Sequence, residues 1–198
     1  MSKSTNQHLI LENLFGSKLR VKILKFLFRN YPNSFGIKDL TRRTQEQLEP
    51  IRKEIGKFAK IGLIKTVGKT SYVLNPDFEF FGELRGLILK SSPAEKDKMI
   101  RRILALGRIR LAVISGVFLN KDSTDIADSK VDLFIVGDDI NKKKLGIFLR
   151  SLEAEVGKEI RFGLMEKEEF EYRYGMFDRF VRVLLESPHD KLINKLGL

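Results

Sequence analysis

Apolar residues recur at helical spacing along the first ninety positions, interrupted by short turns and one pair of strand-like runs. Residues 1–8 are polar and are expected to fray. Residues 9–15 form a short apolar stretch that reads as a turn of helix or an extended arm. Ser17 is placed to cap a helix over 18–29, whose inward face is Leu19, Ile23, Phe26 and Leu27. The tetrapeptide Tyr31-Pro32-Asn33-Ser34 is a turn. A short helix is predicted over 37–43, a turn over 44–48 and a second helix over 49–61. In that second helix Leu48, Ile51, Ile55 and Phe58 share one face and are expected to pack inward. Pro50 is tolerated only in a first turn and so fixes the helix start, and Gly62 stops it. Two strands follow, 63–67 and 70–74, joined by Gly68-Lys69 as a hairpin turn.

Beyond the hairpin the pattern changes. Residues 78–90 read as a helix with Phe80, Phe81, Leu84, Leu87 and Ile88 on one broad apolar face. That face either packs on its own domain or forms the seam of a dimer. Ser91-Ser92-Pro93 is the one linker-like break, so the domain boundary falls there, giving domains of 1–92 and 93–198. Helix is predicted over 95–106, strand over 110–114, and a nearly continuous apolar strand over 131–136, as a strand covered on both faces requires. Helix over 144–156 (Leu145, Phe148, Leu149 and Leu152 inward), strand over 159–165 and helices over 166–174 and 177–186 complete the chain, with Pro188 ending the last. Alternating helix and strand makes the second half an α/β domain, and the whole chain is of mixed α/β (α+β) class. Asp138 and Asp139 are expected near the start of the helix that follows them, where negative charge suits the helix dipole.

Helix, turn, helix and hairpin in the first half make a winged helix-turn-helix, a motif that inserts one helix into the DNA major groove. The outward face of its second helix carries Arg52, Lys53, Lys57 and Lys60, and the turn before it offers Gln45 and Gln47, whose amides can pair with adenine edges. Arg42, Arg43 and Lys69 are placed to hold phosphate. A basic helix face is commonly no more than a solvated surface. Here the charge is distributed unevenly. Of a net +11, residues 1–92 hold 17 basic and 8 acidic side chains, and residues 93–198 hold 20 and 18. The excess therefore lies with the predicted winged helix. It would draw in phosphate backbone with an affinity that falls as salt rises. Double-stranded DNA is the expected partner, bound by a homodimer whose half-sites lie about one DNA turn apart.

Other chemistries are disfavoured. The chain has no cysteine, which excludes disulfides and thiolate metal sites and fits a cytoplasmic location. Its two histidines, His8 and His189, stand at opposite ends, against a His-based zinc site. No stretch is apolar for long enough to cross a membrane, and the first residues lack a secretory pattern. There is no nucleophile elbow and no phosphate-binding glycine loop. The 15 phenylalanines fall at core spacing rather than on a base-stacking strand face. Asp122, Asp125 and Asp128 do not follow the one-three-five spacing of a calcium loop and read as a solvated acidic loop. No cofactor or metal is expected.

The segments LFGSKLRVKILKFLF and YVLNPDFEFFGELRGLILKSS flanking the helix-turn-helix, then LAVISG, VDLFIVGD, EIRFGLMEKEEF and FDRFVRVLL, carry a resemblance over nearly the whole chain. It resembles prokaryotic transcriptional regulators that join an ArsR-like winged helix to a minimal nucleotidyltransferase domain of the polymerase beta type. Active transferases of that kind carry Gly-Ser after the first strand and two carboxylates one residue apart on the second. A third carboxylate comes from a later strand, and together they hold the magnesium ions that bridge nucleotide phosphates. Here Ser115-Gly116 stands in reversed order, Lys130 occupies the first carboxylate position, and only Asp132 matches. The later strand offers Arg161 and no carboxylate. A cation at Lys130 would repel magnesium. The resemblance thus implies a transferase fold without catalysis, with Ser115, Gly116, Lys130 and Asp132 as a vestigial site. Such a domain would serve ligand sensing, dimerisation or contact with a nucleotide or protein partner. Two alternatives remain: an active transferase that uses the winged helix to find its substrate, and a winged helix that binds protein.

Overall fold

The computed structural model describes residues 4–68, 70–91, 94–119 and 131–198, with side chains from residue 10 onward. Within them the chain is mixed α/β and divides into two compact units. The first comprises Met1–Pro93 with Arg150–Lys158, and the second Ala94–Leu149 with Glu159–Leu198. Lys69, Ser92, Pro93, Lys130 and the loop carrying Asp122, Asp125 and Asp128 lie outside the described residues.

In the first unit α1 (Ser4–Phe15) and α2 (Lys18–Arg29) precede a two-residue strand β1 (Phe35–Gly36). Then come α3 (Ile37–Thr44), α4 (Leu48–Lys60), β2 (Ile64–Val67), β3 (Ser71–Leu74) and α5 (Phe81–Lys90). The start expected to fray is helical from Ser4. Ser17 caps α2 as predicted, its hydroxyl accepting from the Arg20 amide at 3.2 Å. β2 and β3 form an antiparallel hairpin, and β1 adds to the far side of β3 through Phe35↔Tyr72 and Gly36↔Ser71. The sequence reading has no β1, because two residues carry no periodicity and the strand exists only through its partner.

The core of this unit gathers Ile23, Phe26 and Leu27 of α2, Leu40 of α3, Ile51, Ile55 and Phe58 of α4, and Leu74 and Ile88. Leu48, expected inward, is 40% exposed. As the first residue of α4 it precedes the turn at which the helix meets the core. In α5, Phe81, Leu84 and Ile88 turn into the unit's own core, whereas Phe80 and Leu87 stay exposed. The helix begins at Phe81, three residues later than the apolar run. Gly62 ends α4 at φ +77, a left-handed conformation open to glycine at no steric cost. Lys25 is buried in α2 despite its charge.

The second unit holds α6 (Lys96–Leu104), β4 (Arg108–Ser115), a single 3-10 turn (Gly116–Phe118) and β5 (Leu133–Asp138). α7 (Lys142–Val156) follows, its residues to Leu149 counting with this unit. β6 (Phe162–Met165), α8 (Lys167–Gly175), α9 (Arg179–Glu186) and β7 (His189–Asn194) complete it. The sheet order is β6-β5-β4-β7, with β5 parallel to β6 and β4 antiparallel to both neighbours. Residues 111–114 of β4 and 133–137 of β5 are all buried, so both faces of the central pair are covered. One face meets Phe170 of α8 and Val181 and Leu184 of α9. β7 is a strand where the sequence reading stopped at Pro188. Its polar residues sit at an edge, so no apolar run marks it.

The acidic pair is used differently from expectation. Asp138 Oδ1 accepts from the Lys167 amide at 3.1 Å and so serves the start of α8. Asp139 pairs with Arg108 at 2.6 Å. The start of α7 is capped by Asn141, whose Oδ1 accepts from the Lys144 amide at 2.9 Å.

Candidate functional site

Two arrangements bear on function, one in each unit. The first is built on α4. Ile51, Ile55 and Phe58 are buried, which turns Arg52, Lys53, Lys57 and Lys60 outward, and all four are exposed. Arg52 Nη1 contacts Glu49 Oε1 at 2.7 Å, and Lys57 Nζ contacts Glu54 Oε1 at 2.6 Å, both three residues back along the helix. Among the described residues no carboxylate pairs with Lys53 or Lys60. The Arg52–Glu49 pair is exposed on both sides, and pairs of that kind contribute only about 0.2–1 kcal/mol, so the guanidinium is cheaply released to another anion.

The turn before α4 keeps the two glutamines at the surface. Gln45 ends α3 in left-handed backbone at φ 55, Gln47 takes the N-cap position of α4, and both are exposed. Arg42 is exposed and contacts Asp39 at 3.3 Å. Arg43 is half-buried. The hairpin beside them carries Lys65, paired with Asp77 at 2.7 Å.

Beneath this surface lies a residue that sequence reasoning missed. Glu54 is buried on α4 and takes Arg20 of α2 on both oxygens, Nε at 2.7 Å and Nη2 at 3.3 Å. Arg20 Nη1 also donates to the Phe15 carbonyl at 2.6 Å. The Arg20 hydrogen bond holds the Glu54 carboxyl below the usual carboxylate range, against burial, with Lys57 adding to the effect. The signal was present: position 54 lies three residues after Ile51 and four before Phe58, on the buried face.

The second arrangement closes around Asp132, at the entry to β5. Its side chain is 4% exposed and both oxygens are engaged. Oδ2 accepts from the amide and Nε of Arg161, each at 2.9 Å. Oδ1 accepts from Arg161 Nη2 at 2.9 Å and from the Val117 amide at 3.0 Å. Burial, the largest single influence, pushes the carboxyl up, yet the bonds from Arg161 and from the two amides outweigh it and leave the pKa below its ordinary value. The same pairing raises that of Arg161. Gly116 follows at φ +51. A Cβ there would lie 2.1 Å from Asp132 Oδ1 and 3.1 Å from Arg161 Nη2, so only glycine lets the backbone pass. The Ser115 hydroxyl donates to the Val131 carbonyl, and the Ser115 amide donates to the Asp132 carbonyl at 2.9 Å.

Ser115, Gly116 and Asp132 lie against one another, while Lys130 lies outside the described residues. Arg161 was read only as a missing carboxylate. Its role as the partner of Asp132 went unseen, because the contact joins residues 29 apart. Both oxygens that would meet a metal are taken up by protein donors. Among the described residues no three His, Asp or Glu side chains are grouped to hold a metal ion, and no helix is long and apolar enough to cross a membrane. Comparison with protein-family models, with curated proteins and with solved structures returns no match.

Proposed function

We propose that this chain is a sequence-specific, double-stranded DNA-binding transcriptional regulator, acting as a homodimer. Its first unit is a winged helix-turn-helix, and its second is a nucleotidyltransferase-like domain without catalysis. The observation that carries the reading is the two-sided character of α4, with Ile51, Ile55 and Phe58 buried and Arg52, Lys53, Lys57 and Lys60 exposed. Helix α3, a turn held by Gln45, helix α4 and the β2–β3 hairpin follow one another in the order such a module needs. Arg52, Lys53, Lys57, Gln45 and Gln47 form the reading set, and Arg42, Arg43 and Lys69 hold phosphate. The surplus charge of residues 1–92 supplies the long-range attraction.

Loss of catalysis in the second unit follows from charge. Lys130 stands in the sequence two residues before Asp132, and Arg161 already neutralises the one carboxylate that remains. A magnesium ion would have to displace two guanidinium bonds to reach Asp132. A nucleotide or protein partner of that domain would be the route by which a signal enters.

Fluorescence anisotropy with a duplex selected by the purified protein tests the DNA reading. Arg52→Ala/Lys53→Ala should lose roughly 1–3 kcal/mol of binding for each base-reading pair removed. Unchanged affinity in the double variant removes α4 as the reading helix.

A further inference from the structure

The end of α8 and the turn that leads to α9 together present a dense run of exposed apolar side chains. Tyr172 is 68% exposed, Tyr174 49%, Met176 66% and Phe177 80%. Phe177 is held in left-handed backbone at φ 54, which a bulky L residue rarely adopts. That conformation ends α8: the Asp178 amide donates to the Arg173 carbonyl at 2.9 Å, the bond of a helix C-terminus whose left-handed position glycine usually takes. The Phe177 amide donates to the Tyr174 carbonyl at 3.2 Å, and the Asp178 carboxylate caps α9 through the Phe180 and Val181 amides at 3.0 and 3.2 Å. Tyr174 stacks on buried Phe170 at 6.0 Å, so the platform is anchored to the core. Beside it lies an open recess of about 450 Å³, lined by Glu169, Tyr172, Arg173, Met176 and Asp178.

We infer that this turn is a self-pairing surface, in which Phe177 of one copy enters the recess beside Met176 of a second copy and the reverse contact forms across a two-fold axis. Projection and recess sit within ten residues of each other, which is the arrangement a two-fold contact needs, since each side must supply both halves. The area agrees. Four side chains of order 200 Å² each, at the exposures above, leave roughly 500 Å² of accessible surface. A standard interface takes about 800 Å² per partner, and in homodimers about 65% of it is apolar, which is also roughly 500 Å².

The charge agrees too. Residues 166–186 carry 4 basic and 6 acidic side chains, a near balance that offers little to nucleic acid or to an anionic membrane. Both signs line the recess, where Arg173 meets Glu169 at 2.8 Å and Asp178 at 3.9 Å, so a second copy brought up by a two-fold axis faces acid and base together. The inference does not rest on DNA binding, and its test contains no nucleic acid.

Sedimentation velocity of the full chain over the nanomolar to micromolar range is the test. The wild type should be a dimer, and Phe177→Asp should weaken it by roughly 30-fold or more, as loss of a buried aromatic anchor does. Because Phe177 is exposed within one chain, the variant should keep its helical circular dichroism and monomer fold. The chain has no cysteine, so Gly175→Cys gives a single thiol at the patch, where an added side chain meets no atom within 4 Å. A short bismaleimide should link that variant as a dimer and leave Lys60→Cys unlinked. A wild type that remains monomeric at tens of micromolar overturns the inference, whether or not it captures some other protein. So does a dimer that Phe177→Asp leaves intact, since the interface then lies elsewhere.

Discussion

Separating Asp132 from Arg161 gives the sharpest check on the second unit. Arg161→Ala removes two charge-assisted hydrogen bonds, each at 2.9 Å, and leaves the carboxylate with two backbone amides. Hydrogen bonds to charged groups contribute about 1.5–3 kcal/mol each. The Arg161 side chain is 48% exposed, so water screens part of that, and a loss of about 2 kcal/mol is expected for the pair. Asp132→Asn turns an amide toward donors that need an acceptor and should cost about 3 kcal/mol. If the two residues act as a unit, the double variant loses less than the sum, by a coupling of about 1.5 kcal/mol. Hydrogen exchange in urea, read on peptides spanning 133–138 and 162–165, reports the unit that contains both strands. Acid supplies a second reading. Because the folded pKa of Asp132 lies below its unfolded value, its contribution is complete above the ordinary carboxylate range and is lost as pH falls through the lower folded value. Asp132→Asn should therefore lose less stability on acidification than the wild type. A coupling under about 0.5 kcal/mol, or parallel acid losses in the two proteins, would refute the reasoning.

Other expected outcomes are narrower. Gly116→Ala must adopt a left-handed backbone and place a methyl 2.1 Å from Asp132 Oδ1, so thermal melting should show a loss of about 3 kcal/mol or more, and a loss under about 1 kcal/mol would contradict the close approach. Lys25 is 1% exposed, and burial, assisted by Arg29, lowers its pKa to about 8 while Glu155 and Glu12 draw it back up. Its charged form is therefore penalised in the folded chain below that pH. Lys25→Met should stabilise by about 1–3 kcal/mol at neutral pH in urea titrations, with the gain shrinking as pH rises from 8 toward the unfolded value. Glu54→Gln should cost about 1–3 kcal/mol at neutral pH, and the difference from wild type should shrink on acidification, since the folded pKa of Glu54 is depressed. Millimolar magnesium should not raise the melting temperature of the wild type, because Asp132 has no free oxygen to offer.

Much of this was legible where pattern and burial coincide. The faces of α2 and α4 follow from apolar spacing, and Gly62 and Pro50 bracket α4 within a residue or two. The continuous apolar run before Gly137 identifies β5 as a strand buried on both faces. What escaped is what pairing alone creates. β1 is two residues long, and β7 is a polar edge strand, so neither has a period of its own. Phe80 and Leu87 share the broad apolar face of Phe81, Leu84 and Ile88 yet stay exposed, because a helical wheel cannot say how wide a face the core will cover. In the Asp132 site the sequence shows Asp132 and Arg161 on two separate strand-like runs. It does not show that Arg161 reaches both carboxylate oxygens, since that requires β5 and β6 to lie parallel. Glu54 is the instructive omission: its position on the apolar face was plain, and its burial becomes affordable once Arg20 is seen to meet it.

The account depends most on α4 as a helix that reads DNA. Selection of bound duplexes from a random pool by the purified full chain, followed by the salt dependence of binding to the recovered sequence, tests that directly. The account predicts an enriched motif, bound with an affinity that falls steeply as salt rises and drops further in Arg52→Ala/Lys53→Ala. A pool that emerges as random as it entered, with no salt-dependent binding to any duplex, would contradict it.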